Sequence, residues 1–195
     1  MNMFTDKQYD LSGNPIFKSL QEILEPISAK ATKAKKASPI QTKRDFVSYA
    51  ISKRAMDYKD RGLNMPLPWF VYENTIQEME AKHPEFVGVF SDLRQWEDNS
   101  LQWLVDSGIK TQQEVEVIKQ MNVNHMPLQR IQEALEVIRP GSGASMGQSK
   151  DVVKRAVGSG ATIIDPLESI ISNAFIIYRA AEANKTLGIL HDMAK

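Results

Sequence analysis

The side chains that could hold a metal or move a proton are the carboxylates in the middle of the chain. Glu80 and His83 stand at the Glu-x-x-His spacing with which di-metal helix bundles ligate metals on each of two helices. This spacing occurs only once in the chain, so the pattern favours a solvated acidic face over a di-metal site. The carboxylates assigned to this face are Glu73, Glu78, Glu80, Glu85, Asp92, Glu97 and Asp98.

The chain has three histidines, His83, His125 and His191, and no cysteine. None of the histidines has a second ligand four residues away, so no helical metal motif is present. We expect each at a helix boundary or on the surface, and a site assembled from distant helices stays open. The lack of cysteine excludes disulfides, thiolate ligands and a cysteine nucleophile.

Two glycine-rich stretches, residues 141–150 and 158–160, invite a phosphate-binding interpretation. In the first, GSGASMGQSK, two residues separate Gly147 from Lys150, so the Walker A spacing is absent. No predicted strand precedes it, and the second stretch is not a dinucleotide fingerprint. We therefore predict flexible connectors here, and the sequence predicts no catalytic residue, no cofactor and no bound metal.

Basic side chains are concentrated in the first third of the chain. Residues 1–64 hold twelve Lys and Arg against seven Asp and Glu, whereas residues 65–140 hold six against twelve. This distribution favours either two separate partners or mutual attraction of the two parts. The basic residues that could contact nucleic-acid phosphates are Lys30, Lys33, Lys35, Lys36, Lys43, Arg44, Lys53 and Arg54. No stacking aromatics are interleaved with the lysines, so a linker followed by an exposed helix face is the stronger interpretation.

Composition places the chain among ordinary globular proteins. Of its 195 residues 42% are hydrophobic and 25% charged, and no apolar run reaches the roughly 18 residues of a membrane span. Residues 1–6 lack the basic flank and apolar core of a secretory signal. We expect a cytoplasmic protein that does not enter the membrane.

Apolar residues recur at helical spacing along the chain, and no alternating strand pattern of useful length is present. We expect helices beginning at Asn14-Pro15, at Thr42, after the turn at residues 65–68, after His83-Pro84 and at Thr111. Further helices are predicted over residues 128–138 and 149–157. The densest aromatic stripe comprises Phe86, Val89, Phe90, Leu93, Trp96, Leu101 and Leu104.

The fold class predicted is all-α, an irregular bundle of six to eight helices with a long C-terminal helix. We divide it into an N-terminal helix with a flexible basic linker over residues 1–40, and a helical domain over residues 41–195.

The C-terminal helix is predicted over residues 165–195, with Asp165 as its cap and Pro166 in its first position. Apolar residues cover more than half of its circumference, so it is either central in the core or shared with a second chain. We expect its first half to be buried and its second half to project or to pair. The residues predicted to contact another protein are Phe175, Ile176, Leu187, Ile189 and Leu190.

Four phrases of the sequence resemble helical regions of the very large polyvalent proteins of bacteriophages and conjugative elements. The resemblance covers residues 14–195, except that the sequence predicts a helix over residues 131–138 where an irregular stretch is expected from the family. The phrases are TKRDF with YAISKRAM (residues 42–56), FSDLR with NSLQWLVDSG (90–108), MNVNHMPLQR (121–130) and, after Gly158-Ser159, DPLESIISNAFIIYRAAEAN (165–184).

This resemblance implies a mobile-element origin and a non-enzymatic interaction role, and it assigns no catalytic residue. We expect a host or phage protein as partner, with the chain acting in the host cell and carried there in the virion. A counter-defence inhibitor of the anti-CRISPR or anti-restriction kind, or a virion-associated structural module, fits such a role. Nucleic-acid binding by the basic N-terminal half is the alternative function, and a homo-oligomer stays open.

Overall fold

A computed structural model describes residues 2, 4–29, 39–125 and 166–194. Helices hold 73% of the interpretable residues, so the predicted all-α class with a long C-terminal helix is confirmed. No described helix is both long and apolar enough to cross a membrane. The elements are β1 (Gln8–Tyr9), β2 (Pro15–Phe17), α1 (Leu20–Ala29), α2 (Pro39–Asp60), α3 (Trp69–Lys82), α4 (Glu85–Asp106), α5 (Gln112–Gln120) and α6 (Pro166–Met193).

The N-terminal residues form a small antiparallel hairpin, β1 with β2. The predicted helix start at Asn14-Pro15 is therefore wrong, because Pro15 lies in β2 and the side chain of Asp10 fixes the turn through the N–H groups of Ser12 and Asn14. The helix instead starts after Ser19. Its hydroxyl accepts from the N–H of Glu22, whose carboxylate accepts from the N–H of Ser19, a capping box.

Helix α2 begins at Pro39, earlier than predicted, so Thr42 is an internal and buried residue and not the cap. It ends at Asp60, and Gly62 beyond it has a left-handed φ of +66°. The N–H of Leu63 donates to Tyr58 and that of Gly62 to Lys59, which closes the helix in a Schellman motif. Gly108 ends α4 in the same way, with φ +76°.

The core is organised around α4, which contacts each of the other five described helices. Of the aromatic stripe, Phe86, Phe90 and Trp96 are buried and Leu101 is only partly buried, and Trp103, outside the stripe, is fully buried. Helix α1 adds Leu20, Ile23 and Ile27 to the same cluster, so the core extends across the boundary that we drew at residue 40.

The hairpin is fastened to α4 by side chains that the sequence did not single out. Gln8 is fully buried, donates to the carbonyl of Trp96 and to the hydroxyl of Ser100, and accepts from Asn99. The indole N–H of Trp103 donates to the carbonyl of Tyr9. The predicted helices at 128–138 and 149–157, both glycine-rich loops and the cap Asp165 lie outside the described residues.

Candidate interaction surface

Helix α6 carries two apolar stripes on different sides. The first contributes Ile170, Ala174, Ile177 and Ala181 to the core, and the aromatic ring of Tyr178 meets Trp103 edge-on at 5.2 Å. The first half of α6 is thus buried in the domain, as predicted from its width. The second stripe, which includes Leu187 and Leu190, lies on another side of the helix, and both of these residues are exposed.

The outer end of α6 is exposed throughout. Lys185 donates to the carbonyl of Leu11, and Asn184 donates to the carbonyl of Ser107 at 2.7 Å, which anchors the helix to the hairpin and to the end of α4. From Thr186 to Ala194 every residue is exposed. This exposure agrees with the expectation that the second half projects or pairs, and pairing stays a prediction.

The residues predicted to contact another protein are accessible. Ile176 is half-buried, and the ring of Phe175 is 50% exposed beneath the guanidinium of Arg179. The large apolar side chains at the outer end are exposed to about the same degree: Leu187 49%, Ile189 54%, Leu190 56% and Met193 79%. Their role in binding stays a prediction.

The basic residues predicted to bind nucleic acid are dispersed. Lys30, Lys33, Lys35 and Lys36 lie outside the described residues. Lys43 and Arg44 are exposed on α2. Lys53 is partly buried, with its ammonium 3.8 Å from Glu80 and 5.9 Å from the centre of the Tyr49 ring.

Arg54 requires a correction, because the structure places it in the interior with 3% exposure. Its guanidinium donates to Asp57 at 2.9 Å and to Asn122 at 3.0 Å, and lies 4.8 Å from the Tyr58 ring centre. Asp57 also accepts from the backbone and side-chain N–H groups of Asn124, both at 2.9 Å. An arginine held in this way stabilises the turn after α5 and presents no charge to a nucleic acid.

A second arginine holds the same turn from α4. Arg94 donates to the carbonyls of Val123 and His125, and its guanidinium pairs with Glu97 and Asp98. Three phrases of the resemblance therefore meet at one place, since Arg54, Arg94 and the turn at 122–125 come from different ones. Their shared task in this chain is to fix that turn on α2 and α4.

The Glu-x-x-His pair does not converge. Glu80 accepts from the Tyr49 hydroxyl at 2.9 Å. The Nε2 atom of His83 lies 3.4 Å from Asp45, and its ring stacks on Phe86. Among the described residues no group of three or more histidines and carboxylates is arranged to hold a metal ion.

Two side chains that contact Glu80 and His83 have shifted pKa values, the hydroxyl of Tyr49 and the carboxyl of Asp45. Burial, and then the hydrogen bond to Glu80, raise the pKa of the Tyr49 hydroxyl far above its usual value. Burial would also raise the pKa of Asp45, but hydrogen bonds from Lys82 and Gln41 outweigh it and hold that pKa below its usual value. The hydrogen bonds from Tyr49 to Glu80 and from Lys82 to Asp45 join α2 to α3.

A groove of about 1140 Å³ lies between α1 and the start of α6. Its walls are mainly aliphatic, with Leu20, Leu24 and Ile171 among the lining residues. Of the polar groups on its rim, Ser19 and Glu22 already bond to each other in the cap of α1. The lining also includes the charged side chains of Lys7, Glu25, Lys43 and Glu168.

Comparison with protein-family models, with curated proteins and with solved structures gives no match for this chain. The resemblance to polyvalent proteins stays a prediction from the four phrases.

Sequence reasoning found the exposed residues of α6 but missed the polar network around Asp57, Asn122 and Asn124. The usable signal was the pair of asparagines directly after a helix end, because asparagine side chains commonly bond to backbone groups at turns. Its partner residues could not be identified from the sequence, since α2 and the turn are 61–68 residues apart along the chain.

Proposed function

We propose that this chain is a non-enzymatic protein-interaction module, with the outer end of α6 as its docking element. The observation that carries the proposal is the exposed run of large apolar side chains beyond Lys185, on a helix whose first half is packed in the core. The first half of the helix thereby anchors it, and the outer end presents the apolar side chains.

Single exposed apolar residues are common on protein surfaces, but adjacent ones on a rigid element mark an interaction site. Leu187 and Leu190 stand one helical turn apart on one side of the helix, whereas the exposed Ile189 and Met193 lie on another side. Presentation of such a stripe from a preformed helix is the helix-in-groove mode of recognition. Because the helix is continuous with the core, little ordering is required when a partner binds.

The resemblance to polyvalent proteins supports an origin in a phage or mobile element. In that setting the partner is a host or phage protein, and occlusion of a host nuclease complex is the counter-defence activity that we favour. Delivery in the virion belongs to the same proposal. The basic residues support nucleic-acid binding less well than the apolar residues of α6 support protein binding, because Arg54 is internal and Lys53 lies beside Glu80.

The test is affinity capture from a lysate of the natural host, comparing the full chain with the Leu187→Glu variant. The matched control is Val117→Glu on α5, which introduces the same charge at a valine that is 48% exposed. We expect the full chain and Val117→Glu to retain the same partner protein and Leu187→Glu to lose it.

Retention of that partner by Leu187→Glu would contradict the docking role of α6. Salt-dependent retention of the full chain on DNA, with no protein captured, would select the nucleic-acid alternative.

A further inference from the structure

The solvent-facing stripe of α6 follows a heptad pattern. Its members are spaced four, three, four, three and four residues apart, the alternation of a and d positions in a coiled coil. They are Ile176, Ala180, Ala183, Leu187, Leu190 and Ala194. We call these six residues the seam. At 100° per residue the seam is centred roughly 140° from the core stripe, so one helix serves two packing faces.

The structure leaves the seam open. Ile176 and Ala180 are half-buried, and the other four seam residues are exposed. None of the six side chains carries a charge or a hydrogen-bonding group, so their exposure to water is unfavourable. A heptad stripe of this kind is stabilised when a second helix packs along it.

We propose that the seam pairs with the seam of a second copy of this chain, with the two α6 helices antiparallel and centred near Lys185. In this register Ala183 faces Leu187 of the second copy, Ala180 faces Leu190, and Ile176 faces Ala194. Each of these layers combines one alanine with one large aliphatic side chain. A parallel pairing would instead place alanine on alanine and leucine on leucine, leaving voids in the layers of Ala180, Ala183 and Ala194.

Charge agrees with the same register. Arg179 flanks the seam and is exposed, and antiparallel pairing brings it level with the last turn of α6 in the second copy. A cation beside the carbonyl end of a helix is favourable. The other residues flanking the exposed part of the seam are Asn184, Thr186, His191 and Met193, so no acidic or basic repulsion opposes the pairing.

The size of the seam sets the strength expected. It runs roughly 27 Å from Ile176 to Ala194 at 1.5 Å per residue, about two and a half heptads. Interfaces of this length fall at the small end of specific protein contacts. The dimer should therefore be weak and reversible, and its fraction should rise with protein concentration.

The inference rests on the proposed function, because it identifies one partner of the same surface. It is tested with the full chain by sedimentation velocity over a concentration series, comparing Leu190→Glu with Ile189→Glu. These neighbours are 56% and 54% exposed, but only Leu190 lies in the seam. We expect Leu190→Glu to raise the dimer dissociation constant at least about tenfold, and Ile189→Glu to change it less than about threefold.

Orientation is tested by disulfide trapping, since the chain has no cysteine of its own. In the antiparallel register Thr186 lies beside Thr186 of the second copy, so Thr186→Cys should form a covalent dimer under mild oxidation. Leu190→Cys should not, because the two copies of residue 190 are roughly 15 Å apart along the helix axis. Trapping by Leu190→Cys in place of Thr186→Cys would overturn the antiparallel register.

A full chain that stays monomeric at every concentration would overturn the second copy as occupant. The proposed function is judged separately, by the loss of a lysate protein from the Leu187→Glu variant. A monomeric chain that still captures a host protein through Leu187 would thus refute the self-pairing and leave the interaction role in place.

Discussion

Two tryptophans of α4 differ by one hydrogen bond although both are buried. Trp103 is fully buried and its indole N–H donates to the carbonyl of Tyr9 at 2.8 Å. Trp96 is 1% exposed, and its indole N–H has no partner in the described part of the protein. A buried donor without a partner lowers the stability by its desolvation cost. Trp96 therefore stabilises the fold through packing alone, whereas Trp103 also contributes a hydrogen bond.

We predict that Trp103→Phe destabilises the protein by about 1–2 kcal/mol more than Trp96→Phe. Both changes remove similar volume, but only the first breaks a hydrogen bond. Denaturant unfolding of the two variants measures the difference. Trp96→Ala, which removes the whole ring, should cost about 3–5 kcal/mol. Equal costs for the two phenylalanine variants would contradict this account.

Arg54 and Asp57 form an ion pair in which both side chains are almost fully buried. Removing one member of such a pair leaves a desolvated charge without its partner. We predict that Asp57→Ala costs about 3–5 kcal/mol, and that a double-mutant cycle with Arg54→Ala gives a coupling of about 1–3 kcal/mol. Thermal or urea unfolding of the four proteins provides the measurement, and additive single effects would show that the pair is not coupled.

At the scale of the elements, glycines have opposite roles inside helices and at their ends. Gly108 closes α4 with a φ of +76°, a backbone angle that residues other than glycine rarely adopt. Gly88 lies within α4, and a methyl group added there would meet no atom within 4 Å. Glycine is favourable at the first position and unfavourable at the second.

Gly108→Ala should therefore destabilise the protein by about 1–2 kcal/mol, and Gly88→Ala should stabilise it by about 0.5–1 kcal/mol. The two alanines test the same substitution on one helix, so each serves as the control for the other. Melting temperatures that move in the same direction would show that backbone conformation does not decide the effect.

The outer end of α6 is exposed and packs little against the rest of the domain. A chain ending after Asn184 keeps Ile177 and Ala181 in the core, and loses the hydrogen bond from Lys185 to Leu11. We predict that it folds, with a free energy of unfolding lowered by only about 1 kcal/mol, and that it no longer self-associates. Circular dichroism melts and light scattering measure the two properties. A truncated chain that failed to fold would place this end in the core.

At the scale of the whole molecule, titration sets a pH range of stability. Four carboxyl groups have pKa values below their usual ones: those of Asp45, Asp10, Glu22 and Glu114. For the last three the largest causes are hydrogen bonds from Asn14, Ser19 and Thr111. These groups stabilise the folded state above their unfolded pKa, and the contribution is lost as the pH falls through the folded values.

At alkaline pH the sign reverses. Burial raises the pKa of the Tyr49 and Tyr178 hydroxyls above 10.0, so they stabilise the folded state below pH 10 and lose this contribution as the pH rises beyond it. We predict a urea midpoint that is nearly flat between about pH 5 and about pH 9 and falls on both sides. Asp45→Asn should weaken the acidic decline, and an unchanged acidic slope would contradict the role of Asp45.

Local signals determined much of this protein from the sequence alone. Helical periodicity placed α3, α4 and α5, and the helix predicted to begin at Thr111 does so, with a capping box. These features depend on residues within one or two helical turns of each other, which is why spacing is sufficient. The exposed apolar residues of α6 were found in the same way, because two stripes cannot both face one core.

Only the tertiary structure decided which polar residues are internal. Arg54 and Lys53 are adjacent in an apparently basic helix, yet Arg54 is buried against Asp57 and Asn122 while Lys53 stays near the surface. The hairpin, too, forms because Gln8 and Tyr9 find partners on α4 some 90 residues later. A buried charge or a short strand is stable only when distant groups supply its hydrogen bonds, and the sequence does not state which distant groups those are.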